Sequence, residues 1–168
     1  GMQLFSAEAP GVSGDKIHPR ISDTAKRLWM IYVGLTVFET ILLNIAGMSF
    51  FDAINNSMSN IASGGFSTKN ESIAYWNNIP IIQYIIIFFM FLAGTNFILI
   101  YFGLIGKIKK IYKNTEFNWY VSLLTIFVLI ATVVLYTSVE LSETPVNHPE
   151  VYGKFESSFR HALFQVVA

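Results

Sequence analysis

Ser49-Phe50-Phe51-Asp52-Ala53-Ile54-Asn55-Asn56-Ser57-Met58-Ser59-Asn60, followed by Ile61-Ala62-Ser63-Gly64-Gly65-Phe66-Ser67-Thr68, is the stretch that decides how the rest of the chain reads. Its first dozen residues are too few and too polar to cross a bilayer, which takes roughly 20 apolar residues. Ser49 followed three residues later by Asp52 is a variant of the capping box, in which Glu or Gln is the usual partner. A helix of about a dozen residues is therefore expected to start there and to end at the glycines. Paired Gly64 and Gly65 permit backbone conformations closed to other residues, so the segment that follows is expected to be non-helical.

On either side lie segments of a different kind. Ile79 to Gly106 carries no charge and exceeds the length of a membrane span, and it is expected to form one spanning helix. Phe117 to Val139 is a second charge-free run of sufficient length. Leu28 to Gly47 is a third, apolar apart from Glu39 and Asn44. Composition agrees: the 168-residue chain is 53% hydrophobic and 13% charged, whereas soluble domains are roughly 45–50% apolar and about 25% charged. The pattern is span, short helix, glycine loop, span.

Charge placement orients these spans. Lys16, Arg20, Lys26 and Arg27 precede the first, and Lys107, Lys109, Lys110 and Lys113 separate the second from the third, so eight of the eleven basic residues fall on one side. The positive-inside rule makes that side cytoplasmic. The opposite segments carry Glu71, Glu140, Glu143 and Glu150. Trp29, Tyr75, Trp76, Tyr112, Trp119 and Tyr120 cluster at the span ends and read as interface anchors in the lipid bilayer. Gly1 to Gly14 lacks the basic region and apolar core of a signal peptide. Eleven basic and eleven acidic residues cancel, which argues for no nucleic-acid partner. No cysteine is present, and three scattered His without H-E-x-x-H spacing do not suggest a catalytic metal.

A short helix dipping into the membrane aims the negative end of its dipole, about half an elementary charge, inward, where it favours a cation. The irregular segment after it cannot face lipid, because unpaired backbone groups there each cost several kcal/mol. It is expected to line a watery path, with the carbonyls of Ser63, Gly64, Gly65 and Phe66 replacing an ion's hydration shell. The order hydroxyl, small residue, glycine, aromatic follows the first four filter residues of potassium channels. A repeat supports the reading: Ser158-Phe159-Arg160-His161-Ala162-Leu163-Phe164-Gln165-Val166-Val167, after the third span, aligns without gaps to Ser49 through Met58. A longer outer turret, Glu140 to Pro149, separates that span from the second short helix. The expected fold is an all-α integral membrane protein built by repeating outer helix, re-entrant pore helix plus filter loop, and inner helix.

Met2 to Gly11, Asp15 to Ile21, Ile61 to Thr68 and, more weakly, Leu92-Ala93-Gly94-Thr95-Asn96-Phe97 resemble the TrkH-type membrane subunit of the Trk/Ktr/HKT potassium-uptake superfamily. The resemblance covers nearly the whole chain. It implies potassium uptake across the bacterial inner membrane through a multi-pass protein of four pore repeats, with potassium as substrate, held at Ser63 and Gly64 among the filter carbonyls. It further implies a homodimer of the full-length subunit and a cytosolic, TrkA-type regulatory ring that binds nucleotides such as NAD or ATP. The division expected by similarity is a cytoplasmic connecting segment at 1–23, a complete pore repeat at 24–106, a cytoplasmic basic loop at 107–116, and at 117–168 the start of the next repeat, truncated before its filter. On this reading the chain is a fragment of a longer pore.

Other residues carry two readings each. Glu39, deep in the first span, is an accessory ion-binding candidate, with a brace on the pore helix as the first choice. Asn96 either faces the cavity or, as the first choice, hydrogen-bonds a neighbouring helix. Asn55-Asn56-Ser57 and Asn70-Glu71-Ser72 match the glycosylation sequon, read as coincidence. Lys107 to Lys113 reads first as a topology signal, with anionic lipid and the regulatory ring as alternatives. The rival functions are sodium- or proton-coupled potassium symport and a non-conducting scaffold. An enzyme is not expected, since no nucleophile with a nearby base and no paired carboxylates occur.

Overall fold

A computed structural model describes residues 21–137 and 155–168. Among these, every regular element is helical: α1 (Ile21–Ile45), α2 (Phe50–Ile61), a 3-10 turn (Ser72–Trp76), α3 (Pro80–Ala93), α4 (Phe97–Leu104), α5 (Ile108–Tyr112), α6 (Thr115–Thr137) and α7 (Phe155–Val167). Segment 1–20 and the turret 140–149 lie outside the described residues. Ala25–Ile45 and Thr115–Thr137 are long and apolar enough to cross a membrane, and α3 with α4 qualifies as a bent pair.

The short helix forms where expected. Ser49 is its N-cap, with Oγ accepting the Asp52 N–H at 3.1 Å, which satisfies one of the orphan donors of the first turn. The box is not reciprocal: Asp52 does not reach back to the Ser49 N–H but accepts the Ser49 hydroxyl at 2.8 Å. Gly47, at φ +111°, makes the reversal from α1 to α2. The most extensive helix packings are α1 with α2 and α6 with α7, a span against a short helix in both cases.

Three expectations fail in the middle of the chain. Ile79 to Gly106 is not one helix: α3 and α4 meet at a bend of 106°. Gly94 ends α3, the Thr95 hydroxyl bonds back to the Phe91 carbonyl at 2.9 Å, and Asn96 leaves helical geometry at ψ 120° to cap α4. Asn96 Oδ1 accepts the Ile98 N–H at 3.0 Å, so its side chain bonds its own helix and not a neighbouring one. Asn is among the strongest N-caps, and here that preference overrides an unbroken apolar run. Trp76 is likewise no interface anchor. It is buried with Leu43, Met48, Ala53, Ile82 and Ile86 in the core where α1, α2, the 3-10 turn and α3 converge. Trp29, Tyr75, Tyr112 and Trp119 are exposed, as anchors would be.

Apolar packing alone specifies little in lipid, whose chains are as apolar as leucine. On α6 only Val128 and Thr132 are buried, and Ile126, Phe127, Leu129, Ile130, Val133 and Val134 face outward. Its threonines satisfy themselves: Thr125, Thr132 and Thr137 donate to the carbonyls four residues back at 2.7–2.9 Å. A second cluster of Ile98, Leu99 and Phe102 packs against Leu28 and Phe117. There Arg27 Nη1 donates to the Tyr101 hydroxyl at 3.1 Å, and Lys110 stands 4.4 Å over the Phe102 ring. Both basic clusters, as far as they are described, therefore lie at the same end of the molecule.

Candidate ion-filter site

The depth of the glycine loop follows from what α2 touches. Thr40 and Ser57 share a hydrogen bond at 2.5 Å, and Asn60 Nδ2 donates to Glu39 Oε1 at 2.6 Å and to the Ile86 carbonyl at 3.2 Å. Glu39 lies six residues before the end of α1, and Ile86 six residues after the start of α3. At about 1.5 Å per residue, each flank places the end of α2 roughly 9 Å inward from the helix ends. The helix thus runs back between the two spans, and the loop begins at depth.

The loop backbone has a definite form. Ser63 and Gly65 adopt φ +52° and +69°, so left-handed residues alternate with others. The N–H groups turn back to α2: Ser63 to the Asn60 carbonyl at 3.0 Å, Gly64 to the Ser59 carbonyl at 2.7 Å, and Phe66 to Ser59 Oγ at 2.7 Å. Among the described residues, no hydrogen bond ends on the carbonyls of Ser63, Gly64, Gly65 or Phe66. Three of the four loop N–H groups, those of Ser63, Gly64 and Phe66, are consumed on the helix side and the four carbonyls remain, which leaves acceptors in excess for a cation. A β-carbon on Gly65 would meet nothing within 4 Å, so the demand for glycine there is one of φ and not of space. A cleft of about 430 Å³ lies beside the loop, lined by Ser63, Gly65, Met90, Gly94, Tyr120 and Phe164 among others.

Two ties hold the loop, one at each end of α2. At the inner end Glu39, fully buried, accepts Asn60 Nδ2 through Oε1, while its Oε2 has no hydrogen-bond partner among the described residues. At the outer end Asp52 receives the Thr68 hydroxyl at 2.5 Å and the Lys69 ammonium at 3.6 Å, which links the start of α2 to the residues just past the loop. The Thr68 hydrogen bond, with Ser49 and Lys69 in support, holds the Asp52 carboxyl below its ordinary value against the opposing effect of burial. Sequence reasoning missed Asn60, Thr68 and Lys69 as partners. Asn60, the last polar residue before the glycine loop, carried the one usable signal.

An all-helical chain with apolar spans and a short helix folded back between two of them is a multi-pass membrane protein. The TrkH family profile, described as cation transport protein, matches residues 1–168. The chain is 40% identical over 170 residues to the Trk system potassium uptake protein TrkH of Escherichia coli (strain K12), covering 100% of this chain and 33% of that one. It is 35% identical over 162 residues to the TrkG protein of the same organism, covering 95% of this chain and 31% of that one. The crystal structure of the potassium transporter TrkH from Vibrio parahaemolyticus superposes with a TM-score of 0.76 at 32% identity, covering 98% of this chain and 33% of that one. This chain belongs to the TrkH family of cation transport proteins, multi-pass proteins of the bacterial inner membrane. It spans about a third of the length of the relatives it matches.

Proposed function

We propose that this chain is a pore-forming part of a potassium-uptake protein, in which the carbonyls of Ser63, Gly64, Gly65 and Phe66 strip and coordinate potassium. The observation that carries the reading is the loop itself: the N–H groups of Ser63, Gly64 and Phe66 tied back to α2 and the four carbonyls unengaged, at a depth of about 9 Å. The relatives' names, which specify potassium uptake, support the choice of ion. Potassium is the substrate, held at Ser63 and Gly64 among the four carbonyls, and residues 24–106 form the complete pore unit. Segments 1–23 and 107–116 lie on the cytoplasmic side, and 117–168 begins the next unit. The relatives' designation as parts of a Trk system fits a protein that works as a homodimer on a nucleotide-binding regulatory ring.

Flux measurement on the full-length protein in liposomes tests this. Potassium should enter down its own gradient and exceed sodium at equal concentration. Equal rates for the two ions would contradict the filter, and uptake that follows an imposed sodium or proton gradient would replace simple conduction with coupled symport.

A further inference from the structure

The inner helix α3 stands between the two short helices, and one of its turns is keyed to both. Ile86 offers its carbonyl to Asn60 at the end of α2. One turn earlier Gln83, 3% exposed, accepts Arg160 Nη1 of α7 at 2.5 Å through Oε1 and donates its amide to Asn77 Oδ1. Arg160 is itself 6% exposed. Its Nε donates to Glu156 Oε1 at 3.1 Å, and the same carboxylate oxygen accepts the Tyr84 hydroxyl at 2.9 Å. The guanidinium is therefore held in two directions, by its own helix and by the inner helix of the preceding unit.

Burying an arginine carries a desolvation cost that bonding of this kind only offsets, and an apolar pair of similar volume is often as stable. The planar fork supplies direction, fixing two partners at set angles as a lysine cannot. We propose that Arg160 and Gln83 form a latch across the unit boundary, which positions the glycine loop of one unit against the short helix of the next. Arg160 is thus a positioning residue for ion discrimination. This rests on the filter reading of Ser63 to Phe66. The route is short: Arg160 sets Gln83, the next turn of α3 carries the Ile86 carbonyl, and Asn60 links that carbonyl to the end of α2.

The test uses the full-length protein and the potassium-to-sodium uptake ratio at matched membrane abundance. Arg160→Lys and Gln83→Leu should each lower the ratio by about tenfold, and the double variant should fall no further, because residues sharing one bond are non-additive. Gln83→Glu keeps the acceptor for the guanidinium and loses only the amide donated to Asn77, so it should retain more of the ratio than Gln83→Leu. If Arg160→Lys does not accumulate, the contrast between Gln83→Leu and Gln83→Glu decides the matter. Additive losses in the double variant would overturn the latch. An unchanged ratio in Arg160→Lys and Gln83→Leu, with a reduced ratio in Gly65→Ser measured alongside, would overturn the latch and leave the filter standing. No change in any of the three would overturn both.

Discussion

The helices α2 and α7 each follow a long span and each pack most closely against it, yet different chemistry holds them. α2 is tied at its two ends, by Asp52 to Thr68 and Lys69 and by Asn60 to Glu39 and the Ile86 carbonyl. α7 is tied from its side, by Arg160 to Gln83 and by Glu156 to Tyr84. Their starts differ as well. Ser49 caps α2 from outside, whereas the aligned Ser158 sits inside α7, fully buried, three residues after Phe155 opens the helix. The gapless alignment thus matches side chains and not helix ends. End ties immobilise a loop that leaves the helix, and on α2 both lie within a few residues of Ser63 or Phe66. A side tie fixes one helix against its neighbour.

The largest effect expected from breaking this contrast is at the inner end. Glu39→Leu strands an Asn60 N–H at depth and should destabilise the full-length protein by about 2 kcal/mol, read as a lowered thermal midpoint in detergent. Glu39→Gln keeps an acceptor for Asn60 and should destabilise less than Glu39→Leu. Potassium uptake lost in Glu39→Gln with stability intact would favour the ion-binding role of Glu39 over the brace.

The outer tie comes next. Asp52→Ala removes the acceptor for Thr68 and should cost about 1–2 kcal/mol, with little of it from the partly exposed Lys69 pair. Because the folded carboxyl titrates below its ordinary value of 3.8, its contribution is complete above that value and is lost as pH falls through the lowered one. The gap in thermal midpoint between parent and Asp52→Ala should stay constant from about pH 8 to about pH 5. A gap that closes within that window would show that Asp52 is not held as described. Smaller again is the cap: Ser49→Ala should cost about 1 kcal/mol. Fragmentary amide exchange at the start of α2, with α7 unaffected, would locate that loss.

The span, short helix and loop were legible because each has a local cause: unbroken apolar length, a capping serine, paired glycines. The family resemblance also rested on short local motifs. Glu39 was legible as a residue of interest because a lone carboxylate in an apolar run is costly to bury, whereas its partner Asn60 was not. The break at Gly94 to Asn96 was not, since hydropathy reports length and is blind to a cap inside it. Gln83 lies in the same apolar run, and its partner Arg160 is 77 residues away. Trp76 was misplaced because an aromatic at a span end fits an interface or a core equally well. Long-range partners leave no periodic trace.

The filter assignment stands most directly on Gly65. Its φ of +69° suits glycine, and the open space around it admits a side chain without collision, so Gly65→Ser should disturb the loop backbone and spare the fold. The measurement is uptake of potassium and of sodium by full-length parent and Gly65→Ser proteins at matched abundance. Reduced discrimination with normal accumulation is the expected result; an unchanged preference for potassium would contradict the assignment of Ser63 to Phe66 as the filter.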